Sequence, residues 1–201
     1  MAEALIVGSP VAGRVVAMHD VPDPVFAQSI VGPGLAVDPD TGPGATPGTE
    51  PGGRVVAPCA GTVVKLHAHA FVLLAPPAAG ASEPAAGRGV LVHLGIDTVQ
   101  LQGEGFTLLV AEGDAVEAGQ ELVRWSPSAV ADGGRSPLVP VVALDLGPGG
   151  LEEPARPGAV VSAGDPCSAS PDARGLGRPV RLTAPRVGAW CVAWCSTSGR
   201  R

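Results

Sequence analysis

Between Gly89 and Phe106 the chain reads GVLVHLGIDTVQLQGEGF, with Val90, Val92 and Leu94 at one parity and Leu91 and His93 at the other. A period of two predicts a half-buried strand that carries His93 on the face opposite its immediate neighbours. Gly95 then lets the backbone fold back towards the ring. A carbonyl at that turn could accept the proton of one imidazole nitrogen and leave the other bare, nucleophilic and facing solvent.

Similar short runs predict strands at Phe71 to Leu74, Thr107 to Val110, Glu121 to Trp125 and Val139 to Leu144, each bounded by Gly, Pro, Asp or Ser. Two internal repeats add to the pattern. SPVAGRVV at Ser9 to Val16 aligns with APCAGTVV at Ala57 to Val64, and GDAVEAG at Gly113 to Gly119 aligns with GAVVSAG at Gly158 to Gly164. Repeats this short predict paired hairpins rather than a solenoid. Helix is confined to Pro127 to Asp132 and Leu151 to Ala155, a turn or two each. Asp38 to Arg54 and Pro76 to Gly89 lack apolar periodicity and read as mobile surface loops. The predicted fold is therefore all-β: an antiparallel β-sandwich or flattened barrel with internal hairpin repeats and very little helix.

The chain has 201 residues, enough for one domain with a sizeable core. Its 29 glycines and 22 prolines suit short strands joined by many turns, and 45% hydrophobic content excludes wholesale disorder. No apolar run approaches the ~20 residues that span a bilayer, and MAEALIVGSP lacks the pattern of a signal peptide. A cytoplasmic protein without direct membrane insertion is expected. Net charge is −6, unevenly spread: residues 1–166 hold 18 acidic and 7 basic side chains, residues 167–201 one and 6. The acidic body argues against nucleic acid as a partner and suits a basic protein surface.

Three blocks carry a family resemblance: VPDPVFAQSIVGPG at Val21 to Gly34, HAF at His69 to Phe71 after APCAGTVVKL at Ala57 to Leu66, and Val92 to Phe106. In this order and spacing the chain resembles the glucose-type enzyme IIA of the bacterial phosphoenolpyruvate-dependent sugar phosphotransferase system, over roughly Ser9 to Pro166. The resemblance implies that His93 accepts the phosphoryl group and that His69 sits across the cleft and bonds the phosphoryl oxygens. It also implies transfer from the histidine-containing phosphocarrier protein to a cysteine of an enzyme IIB domain, with regulatory protein targets in addition and no cofactor required. A docking face would comprise Phe26, Ile30, Val31, Leu91 and Val99, flanked by Asp23 and Asp97. Each apolar member could equally fill the core, and each aspartate could bond its own turn. Asp97, four residues from His93, is the better docking candidate. His67 stands where many relatives carry a threonine that helps hold the active-site network, so it either supports that network or is solvated.

Two other classes share features with the chain. The repeated APCAGTVVKL and EGDAVEAGQEL segments look like the barrel of biotinyl and lipoyl carriers, but the only lysine, Lys65, falls within a strand instead of at a hairpin tip. A zinc hydrolase could use His67, His69 and His93 as nitrogen ligands, yet no HExxH or similar base-bearing motif accompanies them. Zinc binding by His69 and His93 without hydrolysis stays open.

The domain expected from these blocks is residues 1–166. After GAVVSAGDP at Gly158 to Pro166, relatives continue with an apolar strand such as LFSL, whereas this chain reads Cys167, Ser168, Ala169 and Ser170. Deleting one base from codons for Leu-Phe-Ser-Leu yields Cys-Ser-Ala-Ser. Residues 167–201, with three of the four cysteines, are therefore expected to be an aberrant, frameshifted basic tail with little order.

Overall fold

The structure is a computed structural model and describes residues 5–42, 50–76, 88–144, 151–152, 155–166 and 181–182. Its strands are β1 (Gly13–Val16), β2 (Gly34–Pro39), β3 (Arg54–Val56), β4 (Gly61–His67), β5 (Ala70–Ala75), β6 (Arg88–His93), β7 (Phe106–Leu108), β8 (Ala115–Val116), β9 (Glu121–Trp125), β10 (Val139–Ala143), β11 (Leu151–Glu152), β12 (Val160–Val161) and β13 (Arg181–Leu182). Two short helices accompany them, α1 (Pro24–Ala27) and α2 (Pro127–Asp132).

Eight strands form one antiparallel sheet in the order β12-β1-β2-β10-β6-β5-β4-β8, and β3-β9-β7 form a smaller sheet. The large sheet does not close on itself, so the architecture is the sandwich of the two forms expected. Its two ends are the two repeats. Gly13 pairs with Val161 at one end, and Gly61 with Val116 at the other. In each copy the following valine bonds the segment before the short strand: Val15 N–H to Ala159 O at 2.8 Å, and Val63 N–H to Asp114 O at 2.9 Å. The repeated segments thus pair with each other across long sequence separations rather than as local hairpins.

Alternation sorts the side chains of the central strands into two cores. Val37, Phe71, Leu73, Val90, Val92, Val139 and Val141 face the small sheet, where they meet Val55, Leu122, Val123 and Trp125. Ala36, Val72, Leu91 and Val142 point the other way, into a second cluster with Met18, Val21, Phe26 and Ile96. Strand β6 is accordingly buried on both faces rather than half-buried, because residues 18–26 fold across its outer side.

Several expectations change. Helix α1, not foreseen, is opened by Asp23, whose carboxylate accepts Val25 N–H at 2.8 Å and Phe26 N–H at 3.3 Å, with Pro24 at the first helical position. Leu151–Glu152 is a strand pairing with Arg181–Leu182 of the tail, not a helical turn. The ends of the expected Asp38–Arg54 loop are built structure: β2 runs to Pro39, and Glu50 is buried, accepting Ser126 Oγ–H at 2.7 Å and Ser128 Oγ–H at 2.5 Å. Residues 43–49 of that loop, residues 77–87 of the Pro76–Gly89 loop, and the tail apart from 181–182 lie outside the described residues. Cys59 fills the main core, and burial pushes its thiol up to about 11.

Candidate functional site

Strand register brings the histidines together. His67 on β4 pairs with Ala70 on β5, and Ala70 pairs with His93 on β6. Directly opposed residues share a sheet face, so His67 and His93 project to the same side with only the methyl of Ala70 between them. The Ala68–His69 turn joins β4 to β5 and adds the third ring. Ring centroids of His69 and His93 are 5.2 Å apart at 63°, and those of His67 and His69 5.8 Å apart, nearly parallel at 22°.

His93 Nδ1 lies 2.6 Å from Gly95 O. A carbonyl can only accept, so the neutral imidazole carries its proton on Nδ1 and leaves Nε2 unprotonated. Gly95 adopts φ +75°, and a Cβ there would stand 2.6 Å from Thr98 Cγ2. The turn is also held from outside: Gly95 N–H bonds Leu138 O at 3.1 Å, and Ile96 N–H bonds Ser136 O at 2.8 Å.

The surroundings of His93 differ from the expected solvent-facing ones. His93 is only 6% exposed and His69 8%. Burial pushes His93 from 6.5 down to about 4; the Gly95 carbonyl opposes the shift and the neighbouring His67 adds to it. His69 also falls to about 4, through burial first and then the nearby His93 and His67 rings. Both imidazoles are therefore neutral at physiological pH. The Nε2 of His67 is buried without a hydrogen-bond partner.

Two residues expected on a docking face are core. Phe26 is 1% exposed, its ring set edge-on to His93 with centroids 5.5 Å apart, and Leu91 is 6% exposed in the same cluster. Ile30 is 65% exposed, Val31 and Val99 are half-buried, and Asp97 is exposed with φ +61° at the end of the histidine turn. Asp23 is occupied as the α1 cap. Sequence reasoning passed over Thr98, which is fully buried and whose hydroxyl donates to Leu94 O at 2.7 Å. Its only sequence signal is a small hydroxyl side chain three residues after the turn glycine.

The family model for the phosphoenolpyruvate-dependent sugar phosphotransferase system, EIIA 1, matches residues 5–147. The chain belongs to this family. As a phosphotransferase-system EIIA it is a phosphoryl-carrier component that works through a phosphohistidine. Among similar proteins, a glucose-specific EIIA component of Halalkalibacterium halodurans is 37% identical over 141 residues, covering 70% of this chain and 71% of that protein. A glucose-specific EIIA component of Staphylococcus aureus is 38% identical over 136 residues, 67% of this chain and 70% of the relative. An N-acetylglucosamine-specific EIICBA component of Klebsiella pneumoniae is 41% identical over 136 residues, which make up 18% of that longer protein. The glucose permease IIA structure from Mycoplasma capricolum superposes with a TM-score of 0.62 at 28% identity, over 80% of this chain and 95% of its own. Neither a zinc hydrolase nor a biotinyl or lipoyl carrier finds support in these matches. No helix of this EIIA chain, among the described residues, is long and apolar enough to cross a membrane, and no group of three or more His, Cys, Asp or Glu there is arranged to hold a metal ion.

Proposed function

We propose that His93 is the phosphoryl acceptor of this EIIA domain and that His69 stabilises the group in transit. The observation that carries the reading is the 2.6 Å contact between His93 Nδ1 and Gly95 O, which leaves Nε2 as the nucleophile, beside the His69 ring at 5.2 Å. The donor is the histidine-containing phosphocarrier protein. The new N–P bond forms at His93 Nε2 as the donor's N–P bond breaks, and no proton need change place, because Nδ1–H is already paired. Positive charge that develops on the ring is stabilised by the Gly95 carbonyl. His69, as a neutral imidazole, can donate one N–H to an equatorial phosphoryl oxygen, so positioning supplies most of the catalysis. His67, on the same face, supports this network. The group then leaves for the cysteine of an enzyme IIB domain.

Ile30, Val31, Val99 and Asp97 form the accessible rim to which both partners dock, around the buried Phe26 and Leu91. Zinc bound between His69 and His93, without hydrolysis, is a secondary proposal; metal analysis after purification with and without chelator tests it.

The test mixes purified protein with phosphoenolpyruvate, enzyme I and the phosphocarrier, and measures acid-labile, alkali-stable phosphate. Wild type should label, His93→Ala should not, and His69→Ala should label but stall before enzyme IIB. Label on folded His93→Ala would overturn the assignment.

A further inference from the structure

The acceptor's tautomer depends on where one carbonyl points, and the residues around that carbonyl determine its direction. The peptide joining Gly95 to Ile96 is bonded at both ends: its N–H to Ser136 O at 2.8 Å, its carbonyl to His93 Nδ1 at 2.6 Å. Thr98 reaches the same turn from below. Its Oγ1–H donates to Leu94 O at 2.7 Å, and the same oxygen lies 3.4 Å from Gly95 O. Its Cγ2 methyl packs so closely under Gly95 that a Cβ there would be 2.6 Å away. Thr98 is 0% exposed, so bulk solvent does not reach either contact.

We propose that Thr98 is a positioning residue for the acceptor: its hydroxyl tethers the Leu94–Gly95 turn, which aims the Gly95 carbonyl at His93 Nδ1 and keeps Nε2 unprotonated. The inference rests on the reading of His93 as acceptor. The hydroxyl, rather than the methyl, is the operative group. A buried carbonyl left without its donor is destabilised and turns to find another, and Gly95 has the conformational freedom to let it move. With Gly95 O displaced, the ring loses the acceptor that fixed its proton on Nδ1, and the Nε2–H tautomer, which cannot attack phosphorus, becomes populated.

Two substitutions separate tether from packing. Thr98→Val keeps the shape and drops the hydroxyl; Thr98→Ser keeps the hydroxyl and drops the methyl. Ring 15N shifts of His93 report the tautomer without any phosphotransfer, and the rate of labelling from the phosphocarrier reports function. Thr98→Val should populate the Nε2–H tautomer and slow labelling about tenfold, with no change in KM for the phosphocarrier; Thr98→Ser should restore both readouts. Equal loss in both variants, or a wild-type tautomer and rate in Thr98→Val, would overturn the proposal. In wild type the Thr98 hydroxyl proton should exchange slowly with solvent, and fast exchange would overturn it even if Thr98→Val did not fold. Failure of His93 to label in wild type would count against the acceptor assignment instead, since the tautomer measurement stands without it.

Discussion

Leu94 donates its backbone N–H to the carbonyl of His69 at 2.7 Å. The residue after His93, the proposed acceptor, is thereby bonded to the residue whose ring stands beside it. Displacing the Ala68–His69 turn would therefore pull on the backbone that presents His93. The spacing of the two rings is a property of the β4–β5–β6 ladder more than of either side chain.

Gly95→Ala should damage the site more than an exposed glycine change would. The added Cβ meets Thr98 Cγ2 at 2.6 Å and forces an alanine to φ +75°. Strain of about 1–3 kcal/mol is expected, with loss of the Nδ1 contact. Denaturant unfolding together with His93 labelling checks both parts; stability within 0.5 kcal/mol of wild type, on the order of a neutral surface change, would contradict the geometry.

Stability should fall as pH drops from about 6.5 to about 4. Both His69 and His93 have folded values of about 4 against 6.5. Within that window the unfolded chain binds more protons than the folded one, so acid favours unfolding; above it both forms are neutral and the contribution is flat. Below about 4 the folded site protonates as well. Denaturant midpoints at pH 7, 5.5 and 4.5 test the slope, and ring 15N titration should find both imidazoles neutral in the folded protein at pH 5.5.

Asp97 and Asp23 should separate cleanly. Asp97→Asn retains a residue type that tolerates φ +61° and removes only charge; KM for the phosphocarrier should rise several-fold, more at low salt. Asp23→Asn can still cap α1, so Tm and KM should stay near wild type, whereas Asp23→Ala should lose about 1 kcal/mol of stability. A matching KM increase in Asp23→Asn would assign docking to that residue too.

A chain ending at Pro166 should keep both fold and labelling. The segment before it is tied to the N-terminal part of the chain: Pro166 bridges to Gly8, Ser9 N–H bonds Asp165 O at 2.7 Å, and Gly164 N–H bonds Ser9 O at 2.7 Å. Thermal unfolding of the truncated and full chains compares them directly, and a marked fall in Tm would mean that the β11–β13 pairing stabilises the domain. Resequencing the 3′ end of the gene tests the frameshift reading of the same boundary.

Much of the framework was legible one residue at a time. Alternation assigned Val90, Val92 and Leu94 to one face and Leu91 and His93 to the other, and that partition holds. Pro127 to Asp132 is the expected short helix, α2, and Ser126 Oγ caps it by accepting Ala129 N–H at 3.2 Å. Asp23 before Pro24 opens α1 in the same way, a local signal that sits inside a block whose family resemblance points to docking. Leu151 to Ala155 carries a helix-like composition, yet Leu151–Glu152 pairs as strand; in so short a segment, partners outweigh propensity.

The sequence alone determined which side of β6 carries His93, that a glycine turn follows it, and that two repeats recur. These are local properties, dictated by the period of two and by the steric freedom of glycine. Tertiary structure decided the rest. Only cross-strand register sets His67 and His93 on either side of Ala70, and only the return of residues 18–26 over the sheet buries Phe26 and Leu91. That cover also sets Phe26 against His93, whose burial keeps its imidazole neutral. Desolvation is a sum over neighbours distant in sequence, and no run of residues along the chain encodes it locally.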